Sequence, residues 1–205
     1  MSSYHHGNLR ASLVQTGVEL ARADGPDGVV LREVARRAGV SHNAAYRHFA
    51  DREALLAEIA EAGMQRLGDA MKSELDVVDA SGPDDPATRS WERLRATGRA
   101  YVEFAVAEPG LFEVAFSCDP PEPGREAVDD GEHVHPFDLL ISVLDEAVTT
   151  GAVAAEHRPG AEVVCWSAVH GFASLHVKGP LEGLPAEERA ATLEVMLDHV
   201  ARGLA

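Results

Sequence analysis

The sequence is poor in cysteine, in aromatic residues and in long apolar runs, and each shortage excludes a class of protein. Its two cysteines, Cys118 and Cys165, lie far apart and show no metal-binding or redox spacing, which indicates a reducing compartment rather than a disulfide scaffold. No segment reaches the roughly 18 consecutive apolar residues of a membrane span, and no apolar run follows a basic N-terminal region as in a signal peptide. We therefore expect a cytoplasmic protein with no membrane partner.

Motifs for catalysis are also lacking. We find no Ser/His/Asp arrangement, no glycine-rich phosphate loop and no pair of metal-binding residues on a helix. His133 and His135 lie beside acidic residues, but their spacing from Cys118 or His157 matches no strong metal site. The sequence therefore predicts no enzyme activity, no catalytic residues, no cofactor and no metal. An all-helical enzyme without a recognised motif stays open as an alternative.

Helical periodicity is present along most of the 205 residues, and no strand pattern accompanies it. It predicts an all-α fold with a helical N-terminal region over residues 1–51, a connecting helix over 52–78 and a helical C-terminal region over 79–205. Residues 117–134, rich in proline, glycine and acids, predict a mobile loop. The predicted helices are 9–24, 31–38, 42–49, 52–78, 87–108, 111–116, 136–150, 161–178 and 185–203.

The stretch LREVARRAGVSHNAAYRHFADRE, residues 31–53, has the pattern of a helix–turn–helix. Leu31 to Ala38 places apolar residues on one helical face, and Gly39 suits a left-handed C-terminal cap. Ser41 follows as the predicted N-cap of a second short helix. Such a second helix lies in the major groove of duplex DNA, so the pattern predicts a DNA-reading protein.

Residues 8–56 resemble the DNA-binding domain of the tetracycline-repressor (TetR) family of bacterial transcription regulators. The matching elements are LREVARRAGVS, then AYRHF, then a basic residue followed by EALL, and the YHHGNLR start resembles one branch of the family. Val30 departs from the Ser or Thr that often caps the first motif helix, Ala45 from a frequent proline, and Arg52 from a frequent lysine. The resemblance implies that residues 1–51 are an N-terminal three-helix helix-turn-helix DNA-binding domain and that residues 79–205 are a helical C-terminal ligand-binding and dimerisation domain. It also implies a ligand-responsive homodimeric regulator, usually a repressor; a DNA-binding protein without sequence preference remains the other alternative.

Side chains of the motif have the chemistry for DNA contact. Asn43 is suited to bidentate contact with adenine or, alternatively, to support of the turn, and His42 to a base edge or to solvent. Tyr46 and His48 are suited to phosphate oxygens, which fix register rather than sequence. The other predicted roles are a guanine edge or phosphate for Arg32, a base, sugar or solvent for Arg47, and phosphate for Arg52. The predicted DNA-binding set is Arg32, Ser41, His42, Asn43, Tyr46, Arg47, His48 and Arg52.

The formal net charge of −16 is unusual for a DNA-binding protein, but it is unevenly distributed. Residues 1–60 carry seven arginines against seven acidic residues, so the whole acidic excess lies in residues 61–205. Because charges are screened beyond about 8–10 Å, only the local charge meets the phosphates. The acidic remainder should repel DNA and argues against a protein that coats it without sequence preference.

The segment 163–177, VVCWSAVHGFASLHV, has no acidic or basic residue apart from two histidines and is too short to cross a bilayer. It predicts a helix that faces its own domain on one side and a second subunit on the other. A two-fold dimer would also place two recognition helices on a palindromic operator. The Trp166…His170-Gly171 pattern resembles a WHG-type C-terminal domain of one TetR-like branch. The predicted dimer residues are Val164, Ala168, Gly171, Leu175, Leu193, Met196, Leu197 and Val200.

The family resemblance further implies an effector pocket within the C-terminal helices. An apolar or aromatic small molecule with one or two polar anchors would fit the available side chains, although plain core packing is the competing interpretation for each of them. The sequence does not identify the molecule. The candidate pocket residues are Tyr101, Phe104, Phe112, Phe116, Trp166 and His170.

Overall fold

The structure, a computed structural model, describes residues 4–117 and 135–205, with side chains from Leu9 onward. Within these ranges all regular elements are helices, which confirms the predicted all-α class. The predicted mobile loop lies outside the described residues apart from Ser117. None of the helices in the described ranges combines the length and the apolar character that a membrane span requires.

The first three helices form the predicted helix-turn-helix arrangement. Helix α1 runs Tyr4–Gly28, α2 runs Leu31–Arg37 and α3 runs His42–Tyr46. Helix α1 is longer than predicted at both ends. At its C-terminal end the chain resumes helical geometry after a kink at Gly25, whose φ of 66° favours glycine. Helix α3 is three residues shorter than predicted.

Helix α4, Arg52–Ser81, is the long connecting helix. Its N-cap is Asp51 as predicted, since the carboxylate accepts a hydrogen bond from the Ala54 N–H at 2.8 Å. The chain divides into two compact units at a point inside this helix, after Met64. The expected domain divisions at residues 51 and 78 stay predictions.

Five further helices follow α4, and the predicted bounds are close to those observed. Asp85 caps the first of them through the Thr88 N–H at 2.9 Å, and His135 caps the third. A short 3₁₀ helix, Ala155–His157, was not predicted from the sequence. The helices are α5 Pro86–Ala107, α6 Pro109–Ser117, α7 Pro136–Thr149, α8 Ala161–Val177 and α9 Ala186–Leu204.

The first unit comprises residues 4–64 and 108–117, so α6 belongs with the helix-turn-helix rather than with the helices around it in sequence. Helix α6 packs along α1, where Arg22 binds both carboxylate oxygens of Glu108 at 2.5 Å. Gly110 allows this approach, because a Cβ atom there would lie 2.0 Å from the carbonyl oxygen of Ala21. The core of this unit is apolar and includes the fully buried Leu13, Leu20, Val34, Phe49, Leu55 and Ile59.

The second unit comprises residues 65–107 and 135–205. Its core joins the end of α4 to α5, α7, α8 and α9 through apolar side chains. Ion pairs cross its surface: Arg99 binds Glu194 of α9, and Arg93 binds Asp79 of α4 and Glu146 of α7. The core members include Leu75, Leu94, Leu140, Val143, Leu144, Ala161, Cys165 and Leu204.

Gly110→Ala should destabilise the protein by about 1–3 kcal/mol, because the new methyl group must displace backbone of α1 rather than a movable side chain. Urea denaturation at fixed protein concentration measures the change. Gly203→Ala is the matched control: a Cβ atom there meets nothing within 4 Å. The control should be neutral or stabilising by up to about 1 kcal/mol. Equal midpoints for the two variants would contradict the close packing of α6 on α1.

Candidate nucleic-acid interface

The turn between α2 and α3 is closed by backbone hydrogen bonds. Gly39 adopts φ of 70°, which lets its N–H donate to the Arg36 carbonyl at 3.2 Å while the Val40 N–H donates to the Ala35 carbonyl at 3.0 Å. These two bonds are the Schellman arrangement that ends many helices at glycine. The turn therefore fixes the direction in which the chain enters α3.

Helix α3 has five residues and depends on its ends and on one buried face. The Ser41 hydroxyl accepts a hydrogen bond from the Ala44 N–H at 3.2 Å, so Ser41 is the predicted N-cap. At the other end the Phe49 N–H donates to the Ala45 carbonyl at 3.0 Å. Ala45 and Phe49 are buried and attach this segment to the core of its unit. Ser41 thus acts first as a structural cap.

The opposite face of α3 is open to solvent. His42, Asn43, Tyr46 and Arg47 are all exposed, and 47% of the Tyr46 surface is accessible. The His42 and Tyr46 rings, one helical turn apart, meet edge to face with centroids 4.5 Å apart. This contact holds both rings in place on a helix with little other support. The structure therefore brings four of the predicted DNA-binding residues together on one exposed surface.

Helix α2 adds an arginine-rich edge to this surface. Arg32 is exposed and shares a shallow concavity with Arg36 and His42. Arg36 and Arg37 both bind the Glu33 carboxylate, and their hydrogen bonds, that of Arg36 above all, lower the pKa of Glu33 to about 2. Glu33 is thus ionised at any physiological pH, and it offsets part of the positive charge of α2. Sequence reasoning did not select Arg36, because exposure and pairing along a helix are not visible in the pattern.

Arg52 has a different environment from the one its predicted phosphate role suggests. Its guanidinium donates to the Val29 carbonyl at 2.8 Å and to the Pro26 carbonyl at 2.5 Å, and the side chain is 35% exposed. These bonds join the start of α4 to the turn before α2. In the structure, Arg52 therefore positions backbone of the motif, and phosphate contact stays a prediction.

Arg10 is a positioning residue that sequence reasoning missed. Its guanidinium donates to the His48 carbonyl at 2.9 Å, pairs with Glu58 at 3.0 Å and lies 4.7 Å from the centroid of the Phe49 ring. It thereby joins α1, the end of the recognition segment and α4. His48 itself is half-buried. The only sequence signal was that Arg10 ends the YHHGNLR stretch, which gave no indication of a partner 38 residues away.

The six candidate pocket residues do not all come together. Tyr101, Trp166 and His170 form one hydrogen-bonded group in the second unit: the Trp166 indole donates to the Tyr101 oxygen at 3.3 Å, and that oxygen lies 2.7 Å from His170 Nδ1. Phe104 is buried in the same unit. Phe112 and Phe116 belong to α6 in the first unit, where their ring centroids are 4.8 Å apart.

The Trp166–Tyr101–His170 group is kept neutral by its surroundings. Burial raises the pKa of the Tyr101 phenol, and the indole hydrogen bond opposes this rise. Burial lowers the pKa of His170. The Tyr101 oxygen accepts from the indole, and in the tautomer with an unprotonated Nδ1 its hydroxyl donates a hydrogen bond to His170, which gives a chain of donors and acceptors. The arrangement offers polar anchors inside a largely apolar helical unit.

The predicted dimer residues divide into two groups. On α8, Val164 and Leu175 are 55% and 44% exposed, and Gly171 has nothing within 4 Å of a Cβ position. On α9, Leu193 and Leu197 are only 5% and 6% exposed, which corrects their assignment: they pack inside their own unit. Ala168, Met196 and Val200 are half-buried. Val195 of α9, which is not in the predicted set, is 54% exposed.

Arg52→Met should lower the free energy of unfolding by about 1–3 kcal/mol in the absence of DNA, because two buried or half-buried carbonyl groups lose a charged donor. Chemical denaturation of the free protein measures it. Arg47→Met, at an exposed arginine of the same motif, is the control and should change stability by no more than about 0.5 kcal/mol. Equally small effects would contradict a positioning role for Arg52.

Comparison with known proteins identifies both parts of the chain. Residues 13–59 match the family model described as bacterial regulatory proteins, tetR family, and residues 94–200 match the tetracyclin repressor-like C-terminal domain, a segment that includes Trp166, His170 and Gly171. The uncharacterized HTH-type transcriptional regulator YobS of Bacillus subtilis is 30% identical over 109 residues, which cover 53% of this chain and 52% of that protein. The chain spans about half the length of the curated relatives it matches.

Two solved structures show the same fold over nearly the whole chain. A protein of unknown function from Rhodococcus sp. RHA1 is 32% identical, with all of both chains covered and a TM-score of 0.75. RolR in complex with resorcinol is 18% identical, with 99% of this chain and 90% of that chain covered and a TM-score of 0.62. At that identity the second likeness concerns the fold alone.

Proposed function

The chain belongs to the tetracycline-repressor family of bacterial regulatory proteins, and on that basis we propose that it is a homodimeric transcriptional repressor that binds a palindromic operator. The observation that carries the proposal is the division of residues 42–49, which comprise α3 and the segment after it, into a buried side, with Ala45 and Phe49, and an exposed polar side. Because bacterial DNA lies in the cytoplasm, we place this DNA-binding protein there.

Within that function, Asn43 and His42 contact base edges and Tyr46 contacts phosphate. An asparagine side chain can donate to and accept from one adenine, whereas a phenol hydroxyl bonds a phosphate whatever the base. Arg32 lies on the adjoining edge of α2, where its guanidinium suits guanine. Arg47 and His48 contact sugar or phosphate next to α3. Arg52 contributes chiefly by fixing the motif, through its bonds to Val29 and Pro26.

Charge favours selective binding over general binding. The pairing of Glu33 with Arg36 and Arg37 leaves the motif with little surplus positive charge. Affinity for random DNA grows with the number of phosphates neutralised, so such a surface binds random sequences weakly. Base contacts must then supply a large share of the affinity. This supports a sequence-specific regulator over a protein that coats DNA.

The dimer forms through the exposed stripe of α8, together with Val195 of α9. Val164, Gly171 and Leu175 recur at helical spacing on one face of a helix that has no Asp, Glu, Lys or Arg between 163 and 177. Apolar side chains exposed in this pattern are typical of a subunit interface. Gly171 lets a second helix approach closely, because its Cβ position is empty.

Val195→Asp should convert the dimer to monomer, because a charge would lie within an apolar contact. Analytical ultracentrifugation over a range of protein concentrations measures the dissociation constant, which should rise at least about 100-fold for a loss of about 3 kcal/mol. Val77→Asp is the control, since Val77 is equally exposed but lies on α4. An unchanged dimer in Val195→Asp would remove α9 from the interface.

The effector binds beside Tyr101, Trp166 and His170. An aromatic molecule with hydroxyl groups would replace one hydrogen bond of this neutral group with its own, and the related fold of RolR binds resorcinol, a ligand of that kind. To release DNA, the ligand must bind more tightly to the conformation that fits the operator poorly. The proposed effector is therefore a small apolar or aromatic molecule.

A DNase footprint on the region upstream of the protein's own gene tests the function. Wild-type protein should protect a short palindrome; diffuse protection would indicate binding without sequence preference, and no protection would overturn the proposal.

Asn43→Ala should weaken binding to the operator by about 1–3 kcal/mol and relax the preference at one base pair of each half-site. Tyr46→Phe, the matched comparison, should weaken operator and random DNA alike because it removes a hydroxyl that contacts phosphate. If both variants changed the affinities for operator and random DNA in the same way, the base contact of Asn43 and the phosphate contact of Tyr46 would be contradicted.

A further inference from the structure

An exposed valine lies beside the residues proposed to read bases. Val30, the residue that precedes α2, is 49% exposed and lines the shallow concavity that also includes Arg32, Val40 and His42. Among the described residues of the first unit, Val30 and Tyr46 are the large apolar side chains with this degree of exposure. Both belong to the surface that faces DNA in the proposed function.

Val30 is a poor residue for its structural position. It occupies the N-cap of α2, where serine, threonine, asparagine or aspartate would accept a hydrogen bond from a free N–H, and its side chain makes no such bond. Solvent exposure adds nothing that would favour an isopropyl group there. A residue that stabilises its helix less than a common alternative, and exposes apolar surface as well, points to a contact outside the subunit.

The isopropyl group is held in a defined place. The Val30 backbone is extended, with φ of −115° and ψ of 122°, and its carbonyl accepts from the N–H groups of Glu33 and Val34, both at 2.9 Å. A β-branched side chain has few rotamers, so little freedom is lost when it makes a contact. Val30 is therefore a rigid apolar point at the edge of a surface that is mostly polar.

We propose that Val30 reads the C5 methyl group of a thymine next to the base pair contacted by Arg32 or His42. This inference rests on the proposed function. The thymine methyl is the apolar group of the major groove edge, and cytosine carries only hydrogen at that carbon. Arg32, Glu33 and Arg36 also line the concavity; Glu33 pairs with Arg36, so Arg32 supplies positive charge that suits the anionic surface of a duplex. A valine in their midst discriminates thymine from cytosine by burying that methyl group.

Removal of a single methyl group from the DNA tests the contact. Operators are first selected from a random duplex pool by the dimeric protein, and each thymine of one half-site is then replaced in turn by deoxyuridine, which lacks only the methyl group. At one position the wild-type protein should lose about fourfold in affinity, as expected for burial of one methyl group. Val30→Ala should bind the thymine operator about as weakly and should not respond to deoxyuridine at that position.

The Val30→Ser variant separates an effect on DNA binding from an effect on protein stability. Val30→Ser supplies the missing N-cap hydroxyl, so the thermal midpoint of the DNA-free protein should rise. The same variant lacks the methyl groups, so its affinity for the thymine operator should fall and its preference for thymine over deoxyuridine should disappear. Val77→Ala is the control: it removes the methyl groups of an exposed valine on α4 and should leave the deoxyuridine response intact.

The possible failures are distinguishable. If selection yields no consensus sequence, the proposed function itself is overturned. If a consensus is found but every deoxyuridine effect is the same in wild type and Val30→Ala, the function stands and the role of Val30 is overturned. A fall of both stability and affinity in Val30→Ser would likewise overturn it, because Val30 would then act only within the protein.

Discussion

A helix of five residues does not hold its shape in water, so the anchoring of α3 is the constraint on which the rest of the structure depends. Burial of Ala45 and Phe49 fixes one side of the helix, and the Gly39 turn and the Ser41 cap fix its beginning. Arg10 holds the carbonyl that follows it. Because the surrounding unit holds the helix in place, its exposed face can consist of polar residues that do not pack in the core.

The proposed DNA-binding surface also carries little surplus positive charge. A DNA-binding surface could rely on many cations, but here Glu33 stays ionised between two arginines and the acidic excess lies in the later part of the sequence. Phosphate attraction alone would favour every sequence equally. A surface with little surplus charge instead leaves discrimination to side chains of fixed geometry, such as Asn43 and the ring pair of His42 and Tyr46.

Helix α8 packs against its own unit on one side and is exposed on the other. Its inner side packs Cys165, Val169 and Ala173 into the second unit, while Val164 and Leu175 face outward. Between these faces lie Trp166 and His170, whose hydrogen bonds to Tyr101 keep polar groups satisfied within the unit. An apolar helix can thus provide core, proposed subunit contact and proposed effector anchor, because each role uses a different part of its circumference.

The sequence by itself determined the helical class, the family, the Ser41 and Asp51 caps and the position of the motif, because these depend on local spacing and on residues that act on their immediate neighbours. Other features arose only from residues far apart in sequence. The carbonyl partners of Arg52, the contacts of Arg10 and the attachment of α6 to α1 at Gly110 are examples. The sequence pattern placed Leu193 and Leu197 on an apolar face but did not say which neighbour covers it; Gly98 of α5 lies against Leu197, so that face is internal. Periodicity identifies which side of a helix is apolar, whereas only the tertiary packing decides whether that side meets its own chain or another molecule.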